Sequence, residues 1–327
     1  MMRSRERRGV ALLAALWLVV VIASVALQFS LVARERTLIG LAASERTRDR
    51  AASSGALATV VARMDNDLRL RATTQGNAAA LRSSDPWIGA DSIYSAPVTV
   101  GAVTVEVVAT DLGARLNVNR MSESELRTLF GFVLRDYRLA DQLAQSIADW
   151  IDADDLARVA GGESDQYIAD GLLVLPTNSA FREIEDLIYV RGMTADILAA
   201  VKPYLTTLGF STRINVNTAP EAVLRTVPGM TDVVVANILA MRSAGRRIES
   251  LASVSAAVQR SQPGRSGAGG ATDDRVQQQL ASRAGVDSRD LQLTLYVRDS
   301  LSAQSARLIA LVQRVNNNSV ALVWQQW

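Results

Sequence analysis

The amino-terminal part of the chain carries one long helical pattern of apolar positions. An uncharged apolar run extends from Val10 to Ala33. At about 1.5 Å of rise per residue such a helix is about 36 Å long, enough to cross a hydrocarbon core of about 30 Å. From residue 34 to 71 apolar residues recur at helical spacing among Arg, Glu and Asp, which predicts that the helix continues as an amphipathic segment.

Strand and helix patterns follow the long helix in a definite order. Val and Thr dominate residues 93–111, which predicts strands, and helical runs with capping-box spacings at Ser122–Glu125 and Thr218–Glu221 come next. Alternating strand patterns return near the carboxyl end. The order predicts an α+β fold, in which an antiparallel sheet is interrupted by a large all-α insertion. The predicted segments are a leader (1–9), a transmembrane helix (10–33), the amphipathic helix with first strands (34–119), the helical insertion (120–261), a Gly-rich flexible loop (262–274) and carboxyl-terminal strands (275–327).

Charge placement predicts how the apolar helix sits in a membrane. Arg3, Arg5, Arg7 and Arg8 lie just before the apolar run, and such cations normally stay on the cytoplasmic side. An ordinary signal peptide would have an apolar core of only about 7–15 residues, so this run is too long for one. A plain single-pass anchor remains an alternative. Either way, the remaining residues are expected outside the cytoplasm.

The junction between the basic leader and the apolar run is the most specific clue. Arg8-Gly9 is followed at once by VALLAALWLVVVIA. This junction resembles the class III signal of type IV pilins and pseudopilins. The resemblance implies cleavage after Gly9 by a prepilin peptidase and a methylated mature chain that begins at Val10. Most such proteins have Glu as the fifth mature residue, whereas this chain has Ala14, and in that respect it resembles subunit K of type II secretion.

The resemblance to the minor pseudopilin K family extends along the chain. Two further stretches, DLGARLNVNRMSESEL at 111–126 and INVNTAPEAVLRTVPGM at 214–230, match habits of that family. It implies a pilin-like sheet with a helix-hairpin-helix or SAM-like insertion, and a subunit that caps or initiates the periplasmic pseudopilus and supports protein export. It also implies a single-pass inner-membrane protein with most of its chain in the periplasm. The implied partners are the I-type and J-type minor pseudopilins, the major pseudopilin and the prepilin peptidase.

Two Gly-containing turns raise an alternative function. Gly192 and Gly229 each lie between helical runs, as in helix-hairpin-helix motifs that bind DNA phosphates through backbone N–H groups. The alternative is therefore a membrane-anchored DNA-binding protein of an uptake machinery. However, Asp232 stands near the second turn where a cation would serve DNA binding, and the net charge is only +2 with Arg interspersed among acids. We expect hairpins that pack helices, and no nucleic-acid partner.

Composition and the Asn residues argue against catalysis. The chain contains no Cys and no His, which excludes thiol nucleophiles and every His-based triad. A carboxylate pair such as Asp152 and Glu163 could cleave a glycosidic bond, but aromatic residues make up only 5% of the chain. The Asn pairs at 117/119 and 215/217 suit turns, where Asn side chains satisfy backbone groups. We expect no enzyme.

An acidic stretch predicts a metal site. Residues 149–167 place many carboxylates around Gly161 and Gly162, and Ca²⁺ takes six to eight oxygen ligands in such loops. A solvated acidic loop is the alternative, because the D-x-D-x-D-G spacing of an EF-hand is missing. The K family resemblance implies calcium near an I-D-x-D, G-x-E, Tyr pattern. The expected ligands are Asp152, Asp154, Glu163 and Asp165.

Overall fold

The chain begins with a single helix, α1 (Arg3–Thr73), whose two halves have different surroundings. The computed structural model describes residues 3–73, 87, 89–260, 270–297, 306–316 and 319–326. Large apolar side chains from Leu13 to Leu41 are exposed. In the second half, apolar residues recur every fourth position and are buried: Ala52, Ala56, Val60, Met64 and Leu68. Residues four apart share a helix face, so one face of this half packs against the rest of the protein.

The second half of α1 packs on an antiparallel sheet. In the described part of the chain its five strands have the order β1-β2-β7-β8-β9, numbered along the sequence. Their bounds are Val98–Val100 (β1), Val103–Asp111 (β2), Asp290–Val297 (β7), Ala306–Asn316 (β8) and Ser319–Gln326 (β9). Alternate residues of the central strands face α1, as the period of two requires: Val105, Val107, Leu291, Leu293, Leu295, Leu308, Ala310 and Val312 are buried. A short helix, α2 (Ala90–Ile93), contacts β2.

A first helical unit, residues 116–206, interrupts the sheet after β2. Its ends are the short strands β3 (Leu116–Asn117) and β4 (Leu205–Thr206), which pair in parallel. Between them lie α3 (Glu123–Leu134), α4 (Tyr137–Ile151), α5 (Ser164–Ala169), a 3-10 turn (Ile184–Tyr189) and α6 (Ala195–Val201). The predicted capping box is confirmed at α3, where the Ser122 N–H donates to Glu125 Oε2 at 2.8 Å.

A second helical unit, residues 214–285, follows directly. Strands β5 (Ile214–Asn215) and β6 (Ala284–Gly285) again pair in parallel at its two ends. Its helices are α7 (Glu221–Leu224), α8 (Asp232–Ser243), α9 (Leu251–Arg260) and α10 (Gly270–Arg283). The two units bury one continuous apolar core, separate from the core between α1 and the sheet.

Each unit is held by the second Asn of an Asn-Val-Asn sequence. Asn119 exchanges two hydrogen bonds with the backbone of Phe181, at 2.8 and 2.9 Å. Asn217 does the same with Ile248, at 2.8 and 2.9 Å, and also donates to the Val286 carbonyl at 2.8 Å. Buried backbone groups need such partners, so these Asn side chains have the structural role that the sequence predicts.

One predicted helix cap is wrong. Thr218 does not cap α7, whose first residue follows Pro220. The Thr218 hydroxyl instead donates to Asp111 Oδ2 at 2.6 Å, and Asn215 Nδ2 donates to the same oxygen at 2.7 Å. Asp111 is buried at the end of β2, and burial raises its carboxyl pKa. A buried carboxylate requires donors, which explains why Thr218 turns toward the sheet.

The α+β fold is confirmed, but the insertion is mainly helical and not all-α, because two short parallel ladders close its units. Two expected boundaries are wrong: the insertion does not end at residue 261, and residues 275–283, expected among the carboxyl-terminal strands, belong to α10. The insertion extends from the end of β2 to Asp290, where β7 begins, because β6 must return to pair with β5. Of the expected flexible loop 262–274, residues 262–269 lie outside the described residues, and the chain is helical from Gly270. Residues 317–318, between β8 and β9, also lie outside the described part.

Candidate functional site

The acidic stretch begins on a polar stripe of α4. Helix α4 buries Leu143, Ile147 and Trp150 in the core of the units. Gln145 and Asp149 are four residues apart and share another face of the helix, and Asp152 follows its last residue. Gln145 Oε1 accepts the Ala160 N–H at 2.8 Å. This face therefore lies against the segment 152–163, which we name the acid loop.

Asp149 holds the far end of the acid loop. Its side chain is fully buried, and Oδ2 accepts the N–H groups of Gly162 at 2.7 Å and Arg158 at 3.1 Å. The backbone passes so close that a Cβ atom at position 161 would lie 2.0 Å from Asp149 Oδ2. Gly161 is therefore required by packing, because any side chain there would collide with the carboxylate.

Arg158 places one cation among these carboxylates. Its Nη1 contacts Asp149 Oδ1 and lies 2.6 Å from Asp152 Oδ2, and its Nε lies 3.4 Å from Glu123 Oε2. The hydrogen bonds to Asp149 and Asp152 raise the pKa of the Arg158 guanidinium. Charge in the acid loop is thus partly balanced from within the loop.

Glu163 ends the acid loop, and its carboxylate has no hydrogen-bond donor among the described residues. The residue is 4% exposed, and neither carboxylate oxygen has a hydrogen-bond partner in the described part of the chain. Burial, reinforced by the charges of Asp149, Asp152, Asp155 and Asp154, raises the pKa of Glu163 to about 7. Asp152 Oδ1 is also buried without a partner among the described residues. Three carboxylate oxygens in this cluster are therefore buried and unsatisfied, which is costly unless a cation binds.

The four predicted ligands are not all placed alike. Asp152 and Glu163 carry the unsatisfied oxygens, whereas Asp154 and Asp165 are exposed. Asp154 Oδ1 accepts the Leu156 N–H at 3.0 Å, and Asp165 lies in the first turn of α5. Within the residues described, no three His, Cys, Asp or Glu side chains converge as a ready metal cage.

The acidic stretch predicted from the sequence includes Asp149, but the role of Asp149 as the buried anchor of the acid loop was not predicted. The signal that could have indicated this role is the position of Asp149 on α4 beside Trp150, which is apolar and buried. An acidic residue among buried neighbours normally has a fixed partner.

Tyr167 and Arg191 lock the acid loop to the next segment. The Tyr167 hydroxyl accepts the Arg191 N–H at 2.8 Å, and the buried ring lies 6.0 Å from that of Trp150. Burial raises the pKa of Tyr167 to about 12. Arg191 donates to the Gly161 carbonyl at 2.6 Å and to Asp170 at 2.5 Å. The exit of the acid loop is thus fixed at several points.

The predicted processing site lies in the first turns of α1. Gly9 and Val10 are helical, and Ala14 is exposed on the same helix. An 18-residue window of α1 has a mean hydropathy of 2.4 and is not buried within the molecule. By length and composition this helix can cross a membrane.

Both Gly turns form the expected hairpins. Gly192 and Gly229 each have φ of 83°, a left-handed value that favours glycine. Thr194 and Thr231 cap the helices that follow. Arg225, beside the second turn, is paired with Glu221 and Asp232. The charge of Arg225 is thus already balanced by two carboxylates.

Comparisons with known proteins agree on one family. A family model described as "Type II secretion system (T2SS), protein K" matches residues 114–209. The "Type II secretion system protein K" of Pectobacterium carotovorum subsp. carotovorum is 32% identical over 83 residues, which are 25% of each chain. The matched segment thus spans a quarter of the length of that curated relative.

A solved structure extends the likeness to most of the fold. The crystal structure of the GspK-GspI-GspJ complex from the enterotoxigenic Escherichia coli type 2 secretion system contains a chain that matches with a TM-score of 0.59 at 20% identity. The match covers 86% of this chain and 98% of that one. Together these matches confirm the resemblance to the K proteins that the sequence predicts, and the matched family model spans the first helical unit.

Proposed function

We propose that this chain is a minor pseudopilin of a type II secretion system, which caps or initiates the periplasmic pseudopilus and supports protein export across the outer membrane. The observation that carries the proposal is the division of α1. Its first half presents apolar side chains that nothing in the described part of the chain covers, and its second half packs on the sheet. Such a helix needs lipid and neighbouring helices around its first half. The family match of residues 114–209 supports the same assignment.

The proposed topology follows from charge and length. Arg3, Arg5, Arg7 and Arg8 keep the amino terminus in the cytoplasm. Residues 10–33 span the inner membrane once, and both helical units and the sheet lie in the periplasm. A prepilin peptidase cuts after Gly9, and the new terminus at Val10 is methylated.

The proposed partners are the I-type and J-type minor pseudopilins and the major pseudopilin. The solved complex, which contains GspK, GspI and GspJ, supports the I-type and J-type partners. A carboxylate in lipid is costly unless a neighbouring cation pairs with it. Because Ala14 supplies no carboxylate, this subunit needs no terminal ammonium from a subunit ahead of it. That suits a position at the tip, where the chain works by binding and without catalysis.

We also propose that the acid loop binds calcium. Asp152 and Glu163 supply the buried, unsatisfied oxygens, and Asp154 and Asp165 are the exposed carboxylates nearest in sequence. Asp149 and Gly161 hold the loop in position without themselves being free to bind, since Asp149 already accepts several hydrogen bonds. A bound divalent cation would offset the mutual repulsion of these carboxylates and lower the cost of burying Glu163.

Processing tests the pilin-like part of the proposal. The small residue before the cleaved bond lets the peptidase reach it, so Gly9→Leu should leave the precursor uncut in cells that contain a prepilin peptidase. Gly40→Leu is the control, because a Cβ at Gly40 on the same helix has nothing within 4 Å. Mass spectrometry of the wild type should find a methylated chain that begins at Val10. A mature chain with any other first residue contradicts the assignment.

A further inference from the structure

Two loops of the first unit expose a cluster of large apolar side chains. Leu156 and Val159 lie on the acid loop, and Leu172, Leu173, Val174 and Leu175 follow α5. We name these six residues the apolar patch. Leu156 is 78% exposed and Leu173 is 98% exposed. Single exposed apolar residues are common, but a contiguous group on a soluble surface usually marks a binding site.

The two loops form one surface because polar contacts join them at both ends. Asn178 Nδ2 donates to the Asp154 carbonyl at 3.3 Å and to Asp155 Oδ1 at 3.2 Å. At the other end, the Arg191 side chain bridges the Gly161 carbonyl and Asp170. Gly171, with φ of 72°, turns the chain out of α5 into the second loop. The apolar patch is therefore held together by the same contacts that fix the acid loop.

The surroundings of the apolar patch are strongly acidic. Between residues 152 and 179 the sequence has one cation, Arg158, and six acids: Asp152, Asp154, Asp155, Glu163, Asp165 and Asp170. Arg191, from outside this range, pairs with Asp170. Arg158 points inward to Asp149 and Asp152. Asp154, Asp155 and Asp165 are exposed, and no ion pair joins them to a cation of the described residues. One bound divalent cation would still leave this rim negative.

We propose that the apolar patch docks an apolar polypeptide segment of another protein, flanked by Arg or Lys. Apolar contact would supply the binding, and the acidic rim would select the partner by charge. A second copy of this chain would bring its own carboxylates against the rim, and an anionic lipid surface would be repelled in the same way. The proposal rests on exposure and charge alone, and it stands whether or not the chain is a pseudopilin.

Site-specific photo-cross-linking in the native cell tests this docking. A photoreactive amino acid replaces Leu173 in the full-length chain, and a second variant carries it at Val233, which is 59% exposed on α8 of the second unit. We expect an adduct from position 173 at least tenfold above that from position 233. Peptide mapping should place it in an apolar segment with flanking Arg or Lys. An adduct with lipid, with another copy of this chain or with an acid-flanked segment, or no adduct, overturns the proposal.

A second measurement distinguishes selection of the partner by charge from nonspecific apolar binding. Asp154→Asn with Asp155→Asn removes two rim charges and keeps the oxygens that accept from Leu156 and Asn178. We expect this double variant to lose at least two-thirds of the adduct from position 173. The control is Asp196→Asn with Glu249→Gln, which removes two exposed charges outside residues 152–179 and should keep the adduct. An undiminished adduct in the Asp154 and Asp155 double variant, or an equal loss in this control, contradicts selection by the rim.

Discussion

The two helical units share a set of structural elements, which we name the frame, and they differ in the segments between these elements. Each begins with Asn-Val-Asn, is closed by a two-residue parallel ladder, and has one hairpin turn with the sequence Val-x-Gly-Met-Thr, at 190–194 and 227–231. In the second unit, residues 218–226 connect Asn217 to the hairpin turn. In the first unit, the corresponding connection from Asn119 is residues 120–189, which contain α3, α4, the acid loop and α5.

This difference separates scaffold from function. The repeated parts have their polar groups satisfied, as the Asn119 and Asn217 bonds illustrate. The unsatisfied carboxylate of Glu163 and the apolar patch both lie in the segment that the second unit lacks. Buried polar groups without partners and exposed apolar groups both cost stability. We therefore assign the unit-specific function to residues 120–189 and a supporting role to the shared frame.

The largest expected loss of stability comes from a side chain added at position 161 of the acid loop. Gly161→Ala would place a Cβ 2.0 Å from Asp149 Oδ2, so the loop must move and Asp149 loses its donors. We expect a loss of about 3 kcal/mol in the first unit. Gly285→Ala in β6 of the second unit is the control, because its nearest neighbours would lie 3.8 Å away. Hydrogen exchange of the full chain in detergent compares both units, and equal changes in the two variants would contradict the packing argument.

Calcium should stabilise the first unit alone. At a free calcium concentration of 100 times Kd, binding to the folded state adds about 2.7 kcal/mol, and chelation should lower Tm accordingly. Glu163→Gln should abolish the calcium effect, whereas Glu221→Gln, which changes an acid of the second unit that pairs with Arg225, should retain it. Identical melting curves of the wild type in calcium and in chelator would show that the acid loop is only a solvated acidic surface.

Removal of the Asn119 and Asn217 side chains should lower the stability of both units to a similar extent. Asn119→Ala and Asn217→Ala each leave backbone groups without their partners, at a cost of about 2 kcal/mol. The loss at Asn217 should be somewhat larger, because it makes three such bonds and Asn119 makes two. Denaturant unfolding with exchange readout measures both. A neutral result at one position would show that the frames are not equivalent.

The smallest expected effect is a pH dependence of the calcium-free protein. The pKa of Glu163 is raised from 4.5 to about 7, so its protonated form favours the folded state. That stability is fully present below about pH 4.5 and is lost as pH rises through about 7. We expect the first unit to lose about 1–2 kcal/mol between pH 5 and 8 in chelator. Glu163→Gln should flatten this profile, and parallel profiles would contradict the raised pKa.

Local signals in the sequence were enough for the main elements. The apolar run before Arg34, the alternation around Val105 and the Ser122–Glu125 spacing each act within a few residues, so α1, the strands and α3 could be predicted. The two-residue ladders could not, since Ile214 and Ala284 lie far apart and so short a strand has no pattern of its own.

The candidate site was predictable in composition and less so in arrangement. The acidic stretch pointed to Asp152 and Glu163, whose oxygens are indeed the unsatisfied ones. The part played by Asp149 depends on Gly161 and Gly162 returning to α4. That contact forms only in the tertiary structure, and no local sequence pattern predicts it. The exposed Leu173 carried no signal either, because an apolar run in a sequence normally predicts burial.

Cross-linking along α1 tests the central claim, that its uncovered half packs against other pilin-like subunits. The chain has no native Cys, so Leu27→Cys in the uncovered half and Leu57→Cys in the buried half each introduce a single thiol. Leu27 is 62% exposed and Leu57 is 3% exposed. In membranes with single-Cys I-type and J-type subunits, we expect Leu27→Cys to form disulfides with at least one of them and Leu57→Cys to form none. If Leu27→Cys forms disulfides with neither, or only with another copy of this chain, the proposed assembly is contradicted.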